Sequence, residues 1–411
     1  MKKVIVIGGG AAGMMAAIAA ANNGNKVILV EKNEKLGKKV YITGKGRCNL
    51  TNSCDIEELF KNIVHNGKFM YSSIYAFDNA ATIDFFENIG LKVKYERGNR
   101  VFPESDHSSD VIKVLQNELH RRNVEIRLNT EVKSLIIEDG VACGIRLKNE
   151  EIKSDAVILA TGGVSYSSTG STGDGIKWAE STGHTIKSLV PSLVPFETEE
   201  IFVADLMGLS LKNVEASIYD SKNKLLYKDF GEMLFTHFGV SGPIIISASA
   251  VVNERLEKEK LKLYIDLKPA MSYEELDRRV LREFDIYKTK QFKNAVTALF
   301  PGKLTPVMVA LSGIDPDIKV CEITAAMRNE FVSLIKKMPL TIKGMRGFDE
   351  AIVTRGGVSI KDINPKTMES KIIKNLYFAG EMIDVDAYTG GFNLQIAWST
   401  GMAAGKGIDE V

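Results

Sequence analysis

Gly8, Gly10 and Gly13 fall in the spacing Gly-x-Gly-x-x-Gly, and an acid, Glu31, follows eighteen residues after the last of them. That pattern suits a dinucleotide. Gly8 allows a tight turn, Gly10 lets the backbone approach a pyrophosphate, and Gly13 lets a helix pack closely on a strand. The helix that begins at Ala11 and Ala12 turns its N-terminus toward the phosphates, where backbone N–H groups and the helix dipole favour negative charge. Glu31 accepts hydrogen bonds from ribose hydroxyls and repels a 2′-phosphate. The pattern carries weight because Val4–Ile7 reads as a buried strand before it, Ala11–Asn22 as a helix of small residues, and Val27–Val30 as a second strand.

Three further stretches offer polar chemistry. Leu36–Asn52 is rich in Gly, Lys and Asn and is read as an ordered loop. Its Lys45 and Arg47 either meet phosphates and the electron-rich edge of a cofactor, or belong to a solvated basic loop. Cys48 reads first as a small buried hydrophobe. Ser165–Gly175 carries hydroxyls, glycines and Asp174, which suit a sugar or phosphate but also an ordinary Ser/Gly loop. Near the other end, Asn375–Glu381 is a short strand ending in Gly380 and Glu381. Asp384, Asp386 and Thr389-Gly390-Gly391 then lead into a helix from about Asn393 to Ala404. Two glycine-to-helix elements at opposite chain ends call for one long ligand with two polar ends. FAD fits better than NAD: its ADP half on Gly8–Glu31, its ribityl chain on Glu381, its flavin O2/N1 edge on the last helix. No second strand–GxGxxG–helix provides a separate nicotinamide domain.

The elements that must position these residues form an α/β fold. Asp155–Ala160, ending at Thr161-Gly162-Gly163, is another buried parallel strand whose C-terminal end meets a ligand. Helices are expected at Lys68–Phe77, Ala80–Ile89 and from Ser109 or Asp110 to Arg122; Val132–Ile137 and Val141–Leu147 form a hairpin-like pair. From Pro191 to Gly357 the texture changes to an insertion. Its strands include Val214–Tyr219 and Lys224–Lys228, a helix starts at Pro243, and a Ser272/Glu275 capping box opens another. The division expected is a Rossmann-like cofactor domain at 1–190 and 358–411, a β-rich inserted domain at 191–270 and 338–357, and a helical subdomain at 271–337.

Composition excludes several classes. Net charge is +1, which provides no general attraction to nucleic acid or an anionic membrane. Cys48, Cys54, Cys143 and Cys321 form no CxxC pair and no cluster with histidine, so no metal site is expected and a reducing compartment is. Lys2-Lys3, an apolar run and Ala19-Ala20-Ala21 mimic a signal peptide, but three glycines interrupt it. A cytoplasmic protein is expected, with a small-molecule substrate, no membrane span, and the oligomeric state open.

Gly44-Lys45-Gly46-Arg47-Cys48-Asn49, Thr169–Gly175, Leu234–Pro243, Pro365–Lys371 and the run from Gly380 through Gln395 together resemble a bacterial flavoprotein family, the BaiN-like or aminoacetone-oxidase-like FAD-binding oxidoreductases. The Thr-Gly-Asp-Gly run is also similar to one in fumarate-reductase-type flavoproteins. The resemblance implies a flavoprotein of the two-dinucleotide-binding-domain type, with an inserted β-barrel-like plus helical substrate domain. It implies non-covalent FAD held by the first glycine loop, Glu31 and Lys32, by Gly44, Arg47 and Cys48, and by the strand around Val132. Thr161, Gly162 and Asp174 complete the middle of that set; Gly380, Glu381 and the Gly391-Phe392-Asn393-Leu394 helix start complete its end. Two positions depart from the family pattern: Ala387, expected as Gly, which would crowd the loop beside the flavin, and Ser167, expected as Pro.

The activities the resemblance implies are NAD(P)H-dependent reduction of conjugated C=C bonds in steroid-like bile acid intermediates, with NAD(P)H a transient reductant, and oxidation of small amines by O2. Both are hydride transfers at flavin N5. A flavin-binding protein without turnover is the third alternative. Lys45 or Arg47 can support negative charge on the reduced flavin. His237 leads the candidates for proton transfer, with Tyr388 and Tyr166 behind it; the alternative for His237 is a structural histidine between two Phe residues.

Overall fold

Continuous apolar runs are strands buried on both faces, and in the computed structural model, which describes residues 1–409, Lys3–Ile7 sits at the centre of such a sheet. The five strands are all parallel, in the spatial order Leu376–Phe378, Ala156–Leu159, Lys3–Ile7, Lys26–Val30, Glu125–Arg127. Ile7 lies in register with Val30 on one side and Leu159 on the other, so three strand ends stop at one level. That shared edge is where a doubly wound sheet meets its ligand.

Two helices run from this edge. Ala11–Asn22 is buried almost all round, with Met14, Met15, Ala16 and Ile18 fully inaccessible. Phe392–Gly407 packs along it, and small residues set the distance: a Cβ on Gly401 would lie 2.5 Å from the carbonyl oxygen of Ala12, and one on Gly405 2.4 Å from that of Ala16. The last helix is tied down by Gln395, whose side chain accepts from Thr51 Oγ1 at 2.6 Å and donates to Thr82 Oγ1 at 2.9 Å. Trp398 Nε1 donates to the carbonyl of Leu50 at 2.9 Å.

The chain divides into two units, Met1–Ser192 with Phe348–Val411, and Leu193–Gly347. Val353–Val358, read from the sequence as part of the insertion, pairs antiparallel with Ile186–Ser192 inside the first unit. The second unit is a closed six-stranded barrel: Phe196–Thr198, Gly239–Ser241, Leu225–Phe235, Ser210–Tyr219, Leu261–Asp266 and Met338–Met345, returning to Phe196–Thr198. Alternating burial along Ser210–Tyr219 shows one face turned into the barrel core. Pro243 opens the helix Pro243–Leu256, and the Ser272/Glu275 capping box opens Tyr273–Ile286 as expected. Leu304–Leu311 and Ala325–Lys336 complete the helical part, with Phe292, Phe331 and Met308 buried among them.

Two local readings change. Leu36–Asn52 is not a loop throughout: Lys38–Gly46 is a kinked helix, because Leu36 and Val40 are apolar enough to bury. It breaks at Thr43–Lys45, where Gly44 and Lys45 turn left-handed. Val132 is buried but precedes its strand, which runs Ser134–Glu138 and pairs with Val141–Arg146 and on to Glu151–Lys153. No helix among the described residues is long and apolar enough to cross a membrane.

Candidate functional site

The glycine turn behaves as its spacing requires. A Cβ on Gly8 would lie 2.4 Å from the carbonyl oxygen of Ala160, and one on Gly13 1.8 Å from that of Gly8, so both positions admit only glycine. Gly10 is different. A Cβ there meets no protein atom within 4 Å, and no side chain caps the helix it begins. Open space at an uncapped helix start fits the pyrophosphate of a dinucleotide. Glu31 is buried at the adjacent strand end, and its carboxylate accepts from Gly9 N at 2.7 Å and from Asn33 N and Nδ2 at 2.8 and 2.7 Å. Lys32 Nζ reaches across to Asp174 Oδ2 at 2.8 Å and Thr172 Oγ1 at 2.6 Å. This links the end of the second strand to the Thr169–Gly175 run. Gly175 in that run packs on Thr161: a Cβ there would lie 2.2 Å from Oγ1.

At the other end, Gly391 (φ 100°) is the uncapped start of the last helix, and a Cβ on it would lie 2.4 Å from the backbone of Thr51. Asn393, the second residue of that helix, donates to the carbonyls of Ala387 at 2.7 Å and Tyr388 at 3.2 Å and accepts from Ala387 N at 3.0 Å. Ala387 is fully buried on an ordinary backbone in this clasp, and it forms a bridge with Ile63. Gly380 N is held by Thr400 Oγ1 at 2.9 Å. Glu381 is gripped by Lys39, at 2.9 and 2.6 Å from its two oxygens, and accepts from Ser165 Oγ at 3.0 Å and Thr354 N at 2.8 Å. Lys39 was not singled out from the sequence. Its signal was its place in the basic Gly37-Lys38-Lys39 run, with nothing to show which lysine turns inward.

Other expected residues are occupied differently. The Arg47 guanidinium pairs with Glu96 and, at 2.7 Å, with Asp106, and stacks 4.1 Å from the Phe102 ring centroid. Hydrogen bonds from Lys94, which also donates to Asp106, and from Arg47 hold the Asp106 carboxyl below its usual range. Cys48 is fully buried, and burial pushes its thiol up to about 12, so it is no thiolate nucleophile. Alkylation of the native protein should reach the exposed Cys321 and leave Cys48 unmodified; native-state mass mapping checks this. Lys45 is exposed, in the kink itself. Tyr166 takes a left-handed backbone, Gly162 sits above Ser171, and Phe392 and Leu394 line the first turn of the last helix. His237 belongs to the barrel unit. It is exposed at the tip of the turn between Leu225–Phe235 and Gly239–Ser241, edge-on to Phe238 at 4.9 Å. Among the described residues no cluster could hold a metal ion.

Burial pushes Asp386 up to about 6, against the lowering effect of the Ser192 hydrogen bond and the Arg355 charge. A carboxyl raised above its unfolded value contributes stability below the unfolded pKa, and loses it as pH rises through about 6. Asp386→Asn removes that loss. Relative to wild type the variant should gain ~3 kcal/mol between pH 4 and pH 8. Denaturant unfolding at both pH values measures the gain, and an unchanged difference would refute it.

A parallel sheet whose strand ends meet two glycine-started helices, interrupted by a closed barrel, defines a Rossmann-type protein with an inserted domain. The chain belongs to the HI0933-like protein Rossmann domain family, whose model matches residues 2–407. This places it among the BaiN-like FAD-binding oxidoreductases that its motifs resemble. It is 34% identical, over 94% of its length and 93% of the relative's, to a 3-dehydro-bile acid delta(4,6)-reductase of Clostridium scindens. It is 30% identical, over 93% and 92%, to a ribosomal RNA dihydrouridine synthase of Haemophilus influenzae. In fold it is similar to the 3-ketosteroid delta1-dehydrogenase of Sterolibacterium denitrificans, with a TM-score of 0.52 and 15% identity over 99% of both chains.

Proposed function

We propose that this protein is an FAD-dependent reductase of a C=C bond conjugated to a carbonyl. The observation that carries the reaction is the whole-length likeness to a 3-dehydro-bile acid delta(4,6)-reductase and a ribosomal RNA dihydrouridine synthase, two names that point to one kind of double bond. A Δ4,6 double-bond system beside a 3-oxo group and the C5=C6 bond of uracil beside its C4 carbonyl are both polarised alkenes. Each accepts hydride at the carbon β to the carbonyl and a proton at the α carbon. Bound FAD supplies the hydride chemistry at N5.

The chain's own residues do the rest. The Gly8–Gly13 turn would hold the pyrophosphate, and Glu31, fixed at the strand end by Gly9 N and Asn33 N, would accept from the ribose hydroxyls. Lys39 and Ser165 orient Glu381 toward the ribityl hydroxyls. The uncapped start of the last helix favours negative charge at the flavin O2/N1 edge. Proton transfer by His237 or Tyr388 remains part of this reading, as does a nicotinamide donor and a cytoplasmic location.

The small conjugated ketone is the first substrate reading, supported by the higher identity. The uracil base of ribosomal RNA is the second, supported by the relative of that name, although the charge balance of +1 provides little attraction for RNA. Anaerobic addition of NADPH, then NADH, should bleach the flavin band within seconds. A 3-oxo-4,6-diene steroid or a ribosomal RNA transcript should then restore it. Restoration by the steroid alone selects the first reading and by RNA alone the second. Restoration by neither, with peroxide formed from a small amine in air, replaces both with an amine oxidase.

A further inference from the structure

The strands Val93–Glu96 and Arg100–Pro103 form a hairpin, and the short strand Thr51–Asn52 pairs with its second arm. Asn52 pins the turn of that hairpin to the loop before the last helix. Its Nδ2 donates to the carbonyl of Gly98 at 3.0 Å and to that of Gly390 at 3.1 Å. The two carbonyl oxygens are therefore no farther apart than the sum of those distances. Gly390 precedes Gly391, the uncapped helix start that the FAD reading sets at the flavin O2/N1 edge. Ser53 N holds the turn a second time, donating to the carbonyl of Asn99 at 2.7 Å.

The cations here fall into two sets. Arg47 and Lys94 are matched by Glu96 and Asp106. Arg97 and Arg100, on either side of the turn, are exposed and unmatched. The Arg97 side chain makes no hydrogen bond or ion pair among the described residues, and that of Arg100 donates only to the carbonyl of Arg97, at 3.0 Å. Glu96 lies directly opposite Arg100 across the hairpin, yet it is spent on Arg47. Cations that guard a sheet against pairing lie along its edge strand. Arg100 instead starts the central strand of its sheet, and Arg97 lies in the turn. Two guanidiniums without a counter-charge repel each other, and a phosphate group, which a guanidinium fork can grip through two oxygens, relieves that repulsion. The whole-chain balance of +1 averages over such a local set.

We propose that Arg97 and Arg100 form a binding site for a phosphate ester, carried by the ligand that approaches the flavin end while FAD stays bound. The inference rests on the FAD reading above. The chain has one Gly-x-Gly-x-x-Gly turn, which that reading gives to FAD, and Glu31 beside it repels a 2′-phosphate. A second phosphate-bearing ligand therefore needs cations elsewhere, and this pinned turn presents two that nothing else uses. Two ligands of the proposed reaction carry the group: a nicotinamide donor with a 2′-phosphate, and an RNA strand with its phosphodiesters. The site reads the phosphate and leaves the reacting ring or base to the flavin end beyond Gly390.

The test has two arms, both on flavin-loaded full-length protein. One is the second-order rate of flavin bleaching by NADPH and by NADH in an anaerobic stopped flow. The other is the affinity for a labelled single-stranded fragment of ribosomal RNA, by fluorescence anisotropy at fixed salt. The double variant Arg97→Gln/Arg100→Gln should keep its flavin and lose about tenfold or more in the NADPH rate with the NADH rate unchanged, or in RNA affinity, or in both. A loss with NADPH assigns the phosphate to the donor, a loss with RNA to the substrate strand, and either supports the site. Arg97→Gln alone removes a side chain that holds no other group, so it carries the test if the double variant does not fold, with a loss of about threefold or more. Arg278→Gln, an exposed arginine of the other unit, should change neither arm. Unchanged NADPH rate and RNA affinity in the double variant would overturn the site. So would an equal loss in Arg278→Gln, which would make the effect one of general charge, or an equal loss with NADH, which would show a damaged flavin end. Wild type bleached equally by NADPH and NADH and binding no RNA would overturn the site and leave the donor reading standing; wild type bleached by neither and binding no RNA would overturn both. A protein that retains no flavin after incubation with FAD would overturn the cofactor reading as well.

Discussion

Gly10→Val should purify as a folded protein with no flavin, and should stay colourless after incubation with FAD and desalting. The backbone at Gly10 (φ −83°, ψ −169°) is ordinary for any residue, and a Cβ there touches no protein atom within 4 Å. The protein therefore loses little; a Val at a helix N-cap in place of Gly costs on the order of 1 kcal/mol. The dinucleotide loses the close backbone approach its pyrophosphate needs, for an expected drop in FAD affinity of about a hundredfold or more. Gly13→Val is the contrast. Its Cβ would lie 1.8 Å from the Gly8 carbonyl oxygen, so it should fail to fold rather than fold empty. Absorbance ratios and thermal melts of the two variants separate the effects. Normal flavin content in folded Gly10→Val would sink the assignment of the turn.

Gly405→Val should cause a large loss of stability, although it lies far along the chain from that turn. Replacing a mid-helix glycine by alanine normally gains up to ~1 kcal/mol through helix propensity. Here even the Cβ of alanine would lie 2.4 Å from the Ala16 carbonyl oxygen and 2.6 Å from Ala19 Cβ. Both helices are buried and cannot part without opening the core. Overpacking of this kind costs about 3 kcal/mol or more, on the order of 6–12 °C in melting temperature for a large domain. Gly405→Ala should also destabilise, reversing the sign that propensity predicts. A more stable Gly405→Ala would show that the helices are not in backbone contact.

The parallel sheet follows from patterns the sequence displays, whereas the barrel was implied only by the family resemblance and its closure is set by pairing between distant strands. Val4–Ile7, Val27–Val30 and Ala156–Leu159 are contiguous apolar runs, which can only be buried strands, and each ends in residues that turn sharply. The Lys38–Gly46 helix was hidden because two buried side chains, Leu36 and Val40, anchor a stretch that is otherwise polar. Arg47 reads as a phosphate ligand in isolation. Only the hairpin at Val93–Pro103 shows Glu96 and Phe102 beside it.

What the sequence determined by itself is local: two glycine-started helices, an acid at a strand end, and a short apolar strand ending in Gly380 and Glu381. These depend on residues within one or two turns of each other, where backbone geometry limits the choices. What only the tertiary structure decided is which distant side chains meet. Lys39, Ser165 and Glu381 come from three segments, as do His65, Arg355 and Asp386. Their pairing is set by packing of strands and loops far apart in the chain. Burial then raises the pKa of Asp386 against the lowering effect of the Ser192 hydrogen bond and the Arg355 charge. A carboxylate's environment, not its type, decides whether it stays ionised or holds a proton.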